Sequence, residues 1–198
     1  MPDSDSRAYR AFEAAGAILQ GHFVYTSGRH GSQYLEKFRL LEDPRATTEL
    51  GGMIARHFTA LRPEVVAGPT LGGVILAYEV ARQLGIKAIY LERGEAGGRV
   101  LRRGFAIGEN RRVLLVDDVV TTGGSLAEST DCIRQAGGTV IGIGVLADRT
   151  AGRTSLGVPF FACATLDFAS YAPQQCPLCA SGVPLEAPRG SSQALLRR

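Results

Sequence analysis

Two rhythms of hydrophobic and polar positions divide this chain. From residue 64 onward, unbroken apolar runs recur at residues 65–67, 86–91, 113–116 and 140–147. Amphipathic stretches at 74–84 and 125–135 lie between the first two runs and between the last two, each followed by a glycine. Apolar runs of strand length separated by helical periodicity predict a parallel sheet buried on both faces. The crossovers of such a sheet are right-handed, and ligands bind beyond the carboxyl ends of its strands. Residues 159–166 predict an additional edge strand. The expected fold class is therefore α/β, an open and mostly parallel sheet flanked by helices.

The first sixty residues follow a different pattern. Tyr9, Phe12, Ala15 and Leu19 fall at helical spacing within residues 6–20. Residues 22–26 and 33–38 read as extended segments around a turn at Ser27, Gly28 and Arg29. Asp43 followed by Pro44 is a helix start, and that helix runs to about Phe58. The chain, 1–198, reads as a single domain without internal repeats or long linkers. Residues 1–60 form a small helix-and-strand hood, 61–170 the core, and 171–198 a tail punctuated by Pro173, Pro184 and Pro188. The last ten residues are expected to be mobile.

Composition narrows the function classes. With 198 residues, 45% hydrophobic and 21% charged, the chain can build a core without disulfide or metal staples, and disorder is excluded except at the ends. No apolar run reaches the length of a membrane span, and residues 1–10 are polar, so the expected compartment is the cytoplasm, with no membrane partner. The net charge of +3 is carried almost wholly by arginine, since Lys37 and Lys87 are the only lysines. That small excess does not make the concentrated basic face of a nucleic-acid binder. Four cysteines at irregular spacing are too few for a secreted disulfide framework. Cys176 and Cys179 form a CxxC pair, expected to be reduced and packed; half of a tetrahedral zinc site and a redox pair are the alternatives. Cys132 on a helix and Cys163 in a strand are not placed to join them. The three histidines look scattered, and no residue is assigned as a metal ligand.

The strongest chemical signal is VLLVDDVVTTGGS at residues 113–125. An apolar strand ends in Asp117 and Asp118, and a short loop with two hydroxyls and two glycines then opens a helix. Ser125 and Glu128 read as a capping box. A glycine-rich turn at a helix N-terminus aims backbone N–H groups and the positive dipole end at one spot, which suits a phosphate monoester. Thr121, Thr122 and Ser125 add hydroxyl donors. Asp117 and Asp118 would repel the phosphate itself, but suit the hydroxyls of a sugar attached to it, or a metal held by that sugar. The string is not a Walker loop, because no Gly-Lys-Ser/Thr follows. Nor is it a dinucleotide fingerprint, because the acidic pair precedes the glycines.

This string resembles the phosphoribosyl diphosphate (PRPP) motif of the type I phosphoribosyltransferases. Nearly the whole chain is similar to the orotate branch of that family, through residues 23–38 with Ser27, Gly28 and Arg29, the loop AGPTLGG at 67–73, the long motif, and Ala147, Asp148 and Arg149. The resemblance implies the type I phosphoribosyltransferase fold and transfer of a 5-phosphoribosyl group from PRPP to orotate, within pyrimidine biosynthesis. Phosphoribosyl transfer to another base and a PRPP-sensing, nucleic-acid-binding regulator are the alternatives; the latter would be expected to carry a winged-helix extension or a dense basic face.

The resemblance also implies roles. Asp117, Asp118, Val119, Val120, Thr121, Thr122, Gly123, Gly124 and Ser125 would bind PRPP, with Leu71 and Gly72 supplying backbone at the diphosphate. Thr121 and Arg149 would bind orotate, the arginine through its carboxylate. Asp117 and Asp118 would support the developing charge on the sugar. Residues 92–105 would form a lid reaching a neighbouring subunit's site in a homodimer. That lid lacks the lysines and histidine of many family members, and Arg93 and Arg99 are the best substitutes by position. Magnesium would be the cofactor, held mainly by PRPP and water. Many members also have a lysine just before Ser27, where this chain has Thr26, and Lys37 is a candidate for the missing cation.

Overall fold

Gly16 decides where the first helix stops. Its φ is +60°, its N–H bonds the Glu13 carbonyl, and the Ala17 N–H bonds the Phe12 carbonyl. The helix α1 (Asp3–Ala14) therefore ends before the expected boundary, and Leu19 lies on the strand β1 (Ile18–Val24) instead of the helical stripe expected over 6–20. In this computed structural model, residues 3–69, 71–153 and 156–187 are described, with side chains from Arg7 onward. Pro188 and the end expected to be mobile lie outside the described residues.

β1 pairs antiparallel with β2 (His30–Leu35), and the register slips by one residue between Gln20 and Phe23. A short helix α2 (Phe38–Leu41) follows. Asp43 then caps α3 (Pro44–Phe58) by accepting from the Arg45 N–H at 2.9 Å, as the Asp-Pro pair predicts. The core continues as β3 (Val65–Pro69), α4 (Gly72–Leu84), β4 (Lys87–Arg93), β5 (Arg99–Val100), β6 (Arg112–Val120), α5 (Gly124–Gln135), β7 (Thr139–Asp148) and β8 (Phe160–Thr165). The chain then turns through α6 (Pro177–Ala180).

The sheet order is β5-β4-β3-β6-β7-β8. β4, β3, β6, β7 and β8 are parallel, and only β5 runs against its neighbour. Alternate side chains of one strand serve different faces. Val66, Leu114 and Leu146 pack with Phe12, Leu50, Phe58 and Leu76 from α1, α3 and α4. Val65, Leu115 and Val145 pack on the other side with Leu126 and Ile133 from α5. The chain leaves β3 through α4 toward β4, and leaves β6 through α5 toward β7. The gap between β3 and β6 is thus the topological switch point, where two helix N-termini diverge and ligands of open α/β sheets bind.

The tail is stitched to the hairpin. His30 and Tyr171 exchange backbone bonds of 2.9 and 2.8 Å, while the Val24 N–H bonds the Glu186 carbonyl and the Glu186 N–H bonds the His22 carbonyl. Among the described residues no helix is long and apolar enough to cross a membrane.

Candidate active site

β6 runs further than the apolar pattern alone indicates, through Asp117 and Asp118 to Val120, because β7 continues to pair with it as far as Asp148. Both carboxylates consequently sit within the strand's end, 7% and 4% exposed. Asp117 Oδ1 accepts the Asp118 N–H at 2.9 Å, and Asp118 Oδ1 accepts the Val119 N–H at 2.7 Å. The other Asp118 oxygen meets Lys37 Nζ at 2.7 Å. Lys37, brought in just before α2, thus pairs with this acidic end of the strand. One of only two lysines in an arginine-rich chain stands at the acidic pair, and that bias was its signal in the sequence.

Two loops face each other at the switch point. After β6, Gly123 takes a left-handed φ of +82° as the residue preceding α5, and no side chain caps that helix. The capping box expected from Ser125 and Glu128 does not form: the Ser125 hydroxyl lies 3.5 Å from Asp117 Oδ2 and accepts from Arg99 at 2.8 Å, while Glu128 pairs with Arg99 at 3.7 Å. Thr121, Thr122 and Gly124 are exposed around this uncapped first turn. After β3, Leu71 precedes α4 with φ +59° and ψ −94°, again without a side-chain cap, and its side chain is 71% exposed. A left-handed leucine is a costly conformation that persists where the surroundings over-determine it, commonly at ligand sites. Gly72 cannot carry a side chain, since its Cβ would stand 1.8 Å from Asp118 Oδ2. The two uncapped helix starts and the acidic pair thus close on one space, with N–H groups for anions and carboxylates for hydroxyls.

Burial first, and the Asp118 carboxylate second, push the Asp117 carboxyl up to about 7 from an ordinary value of 3.8. Asp117 therefore holds its proton more tightly in the folded chain than in the unfolded one. Folding takes up a proton between about pH 4 and 7, and this group's contribution to stability is lost as pH rises through that window. The thermal midpoint of the ligand-free protein is expected to fall across it, and Asp117→Asn is expected to flatten the slope. An unchanged slope in the variant would assign the dependence to other groups.

Arg149 stands just past β7. Its guanidinium carbon lies 5.0 Å from the Tyr25 ring centroid and 5.3 Å from that of Phe168. Its buried Nε has no hydrogen-bond partner among the described residues. Neither aromatic was singled out in the sequence, because one comes from the hairpin and the other from beyond β8. Burial and then the Glu36 carboxylate push the Tyr34 phenol up, while Lys37 and Arg149 pull it down, so the hairpin shares the field of the same charges. Tyr25 is fixed by donating its hydroxyl hydrogen to the Gln33 carbonyl at 2.5 Å.

The segment expected as a lid forms a short hairpin. β5 pairs with β4 through Glu92 with Val100 and Arg93 with Arg99. Arg99 reaches its own chain's loop at Ser125, whereas Arg93 is exposed at the strand end. Arg102 and Arg103 pair with Glu95 and Glu92. One correction concerns the histidines. His22 and His30 are not scattered but lie together with both cysteines of the CxxC pair.

The chain is similar to known proteins. The family described as phosphoribosyl transferase domain matches residues 39–166. The chain is 46% identical over 177 residues to the orotate phosphoribosyltransferase of Pelotomaculum thermopropionicum, covering 89% of this chain and 93% of the relative. It is 44% identical, with the same coverage, to that of Caldanaerobacter subterraneus subsp. tengcongensis. Among solved structures, the orotate phosphoribosyltransferase of Aeropyrum pernix superimposes with a TM-score of 0.67 and 31% identity, covering 79% of this chain and 92% of that one.

Proposed function

Because the chain belongs to the orotate phosphoribosyltransferase family, with a phosphoribosyl transferase domain, we propose that it moves the 5-phosphoribosyl group of PRPP to orotate, forming orotidine 5′-monophosphate and diphosphate. This is a step of pyrimidine biosynthesis. The observation that carries the choice of base is Arg149, a guanidinium with a buried, unpartnered Nε over two aromatic rings at the carboxyl end of β7. A planar base with a carboxylate satisfies such a site twice, by stacking and by a charge-assisted fork.

The chain's groups divide the labour by position. The uncapped start of α5, with Thr121, Thr122, Gly123, Gly124 and Ser125, holds the 5′-phosphate. Asp117 and Asp118, continuing into Val119 and Val120, accept the ribose hydroxyls. Leu71 and Gly72 offer backbone N–H groups to the diphosphate, and Thr121 reaches the base beside Arg149. As the bond from the ribose carbon to diphosphate breaks and the bond to the base nitrogen forms, positive charge develops on the sugar. The acidic pair stabilises that charge in place, with no covalent step required of the protein. Arg93 and Arg99 are placed to neutralise the departing diphosphate when the hairpin over 92–105 closes.

Magnesium would be the cofactor. Among the described residues no third ligand gathers with Asp117 and Asp118, so the donor set suits an ion that arrives with PRPP, not a resident one. When bound, magnesium supplies charge neutralisation on the diphosphate oxygens. PRPP and orotate are the partners; neither nucleic acid nor membrane is one. Two phosphorylated ends keep PRPP in the compartment that makes it, which supports a cytoplasmic enzyme. A homodimer is supported by the exposed stripe of Leu71, just before α4, with Ile75 and Tyr78 on it, next to the site; the lid would be shared between its subunits.

The test is orotate consumption, followed by absorbance, with PRPP and magnesium, run beside hypoxanthine, adenine and uracil. A strong preference for orotate is expected; preference for another base would overturn the assignment of Arg149.

A further inference from the structure

Four side chains from three separate segments converge where the hairpin meets the tail. His22 comes from β1, His30 from β2, and Cys176 and Cys179 from the turn that contains α6. Their ligand atoms all lie within 4.8 Å of one another, and three of the four residues are buried. His22 Nε2 is 3.3 Å from His30 Nδ1, 3.4 Å from Cys176 Sγ and 3.7 Å from Cys179 Sγ; His30 Nδ1 is 3.3 Å from Cys179 Sγ. A tetrahedron built on zinc–nitrogen bonds of about 2.05 Å and zinc–sulfur bonds of about 2.3 Å has edges of roughly 3.3 Å between nitrogens and roughly 3.5 Å between nitrogen and sulfur. The four separations given, 3.3–3.7 Å, lie close to those edges, and all four ligand atoms lie within 4.8 Å of one another.

The surroundings fit a metal as well as the distances do. His22 Nδ1 lies 2.8 Å from the Val183 carbonyl, which can only accept, so that nitrogen carries the hydrogen and Nε2 turns its lone pair to the centre. This is the outer hydrogen bond that orients metal-bound histidines. The hairpin bulge is part of the construction. Gln20 pairs with Gln33 but Val24 with His30. Were the first register continued, His30 would face the residue after His22 and project from the opposite side of the hairpin. The one-residue slip puts both rings on one face. Two thiolates with two neutral imidazoles also balance a divalent cation, so the site adds no net charge to a buried position.

We propose that His22, His30, Cys176 and Cys179 bind one structural zinc ion that clamps the N-terminal hairpin to the C-terminal tail. The donor set is closed, with four protein ligands and no open position, so the ion takes no part in phosphoribosyl transfer. Two soft sulfurs and two imidazoles in tetrahedral array select zinc over magnesium or calcium. The site steadies the base end of the active site indirectly, because the hairpin carries Tyr25 and the joined segment carries Phe168, both against Arg149.

The experiment is metal analysis of the full chain, purified with reductant and without chelator. Close to one zinc per chain is expected. Stripping with a strong chelator and reloading with cobalt should give a thiolate-to-cobalt charge-transfer band and the intense visible bands of a tetrahedral centre. The stripped protein should melt on the order of 5–10 °C lower, and zinc should restore it. Cys179→Ser, at the exposed ligand, should lose the charge-transfer intensity of one sulfur and weaken zinc retention at least about tenfold. The wild-type measurements do not depend on whether any variant folds. A stripped, reduced wild-type chain that takes up neither zinc nor cobalt would overturn the proposal, as would cobalt bound without a thiolate band. A Cys176–Cys179 disulfide that leaves the reduced form still unable to bind metal would do the same.

Discussion

Arg149→Ala is expected to lower kcat/KM for orotate by roughly 30- to 5000-fold while changing PRPP affinity little. The basis is the loss of a charge-assisted contact in a partly buried site, about 2–5 kcal/mol, which leaves the carboxylate facing two aromatic rings. Because Arg149 also rests on Tyr25 and Phe168, the size of the loss should separate stacking from charge. Arg149→Gln keeps part of the contact surface but not the cation, and should behave nearly as badly as alanine if charge dominates. Uracil, which has no carboxylate, should suffer far less, so the discrimination between the two bases should shrink. A variant that keeps its orotate preference would move the carboxylate elsewhere, with Lys37 the next candidate. Equal losses for both bases would make Arg149 a support for the aromatic pair.

The acidic pair should produce a loss of similar size by another route. Asp117→Asn with Asp118→Asn is expected to reduce turnover by about 150- to 25,000-fold, because hydrogen bonds to charged acceptors contribute about 1.5–3 kcal/mol each. Fold should survive. The amide oxygens can still accept the Asp118-position and Val119 N–H groups, and removing the buried Asp117 charge relieves the burial that raises its carboxyl. Stability near neutral pH should therefore hold while activity falls, as read by a melting curve beside the assay. Activity near wild type would remove the pair from the reaction. Mixing this variant with Arg93→Ala combined with Arg99→Ala tests the shared lid. About a quarter of wild-type activity should return if the lid serves the neighbouring subunit, since about half the dimers are mixed and each has one intact site of two. No return despite confirmed subunit exchange would assign the lid to the loop that Arg99 touches in its own chain.

What was legible in the sequence was what local chemistry determines. The β–α alternation, the Asp43-Pro44 helix start and the glycine-rich turn into α5 are each written in consecutive residues, and the sheet and the acidic strand end follow from them. The departures share one cause, which is contact between residues remote in sequence. Ser125 and Glu128 have the spacing of a capping box, but Arg99 from the adjacent hairpin engages both. Lys37 acquires its role only when the segment after β2 folds onto the end of β6. Tyr25 and Phe168 meet Arg149 from opposite ends of the chain. The facing of His22 and His30 depends on a single bulge, which no alternation pattern announces. Leu19 falls on the helical period but lies on β1, because Gly16, at φ +60°, ends helix α1 before it.

The stitching of the tail to the hairpin sets an order in time. Cys176 and His22 stand 154 positions apart, so on a ribosome adding about 5–20 residues per second the hairpin emerges on the order of ten seconds before its partner exists. Through that interval β1 and β2 are a two-stranded ribbon, which is marginal alone in water. The loop opening α5 belongs to a sheet whose strands are complete earlier, by Thr165. The sheet and its acidic strand end thus form before the hairpin is closed, and the last segments synthesised close the first ones made.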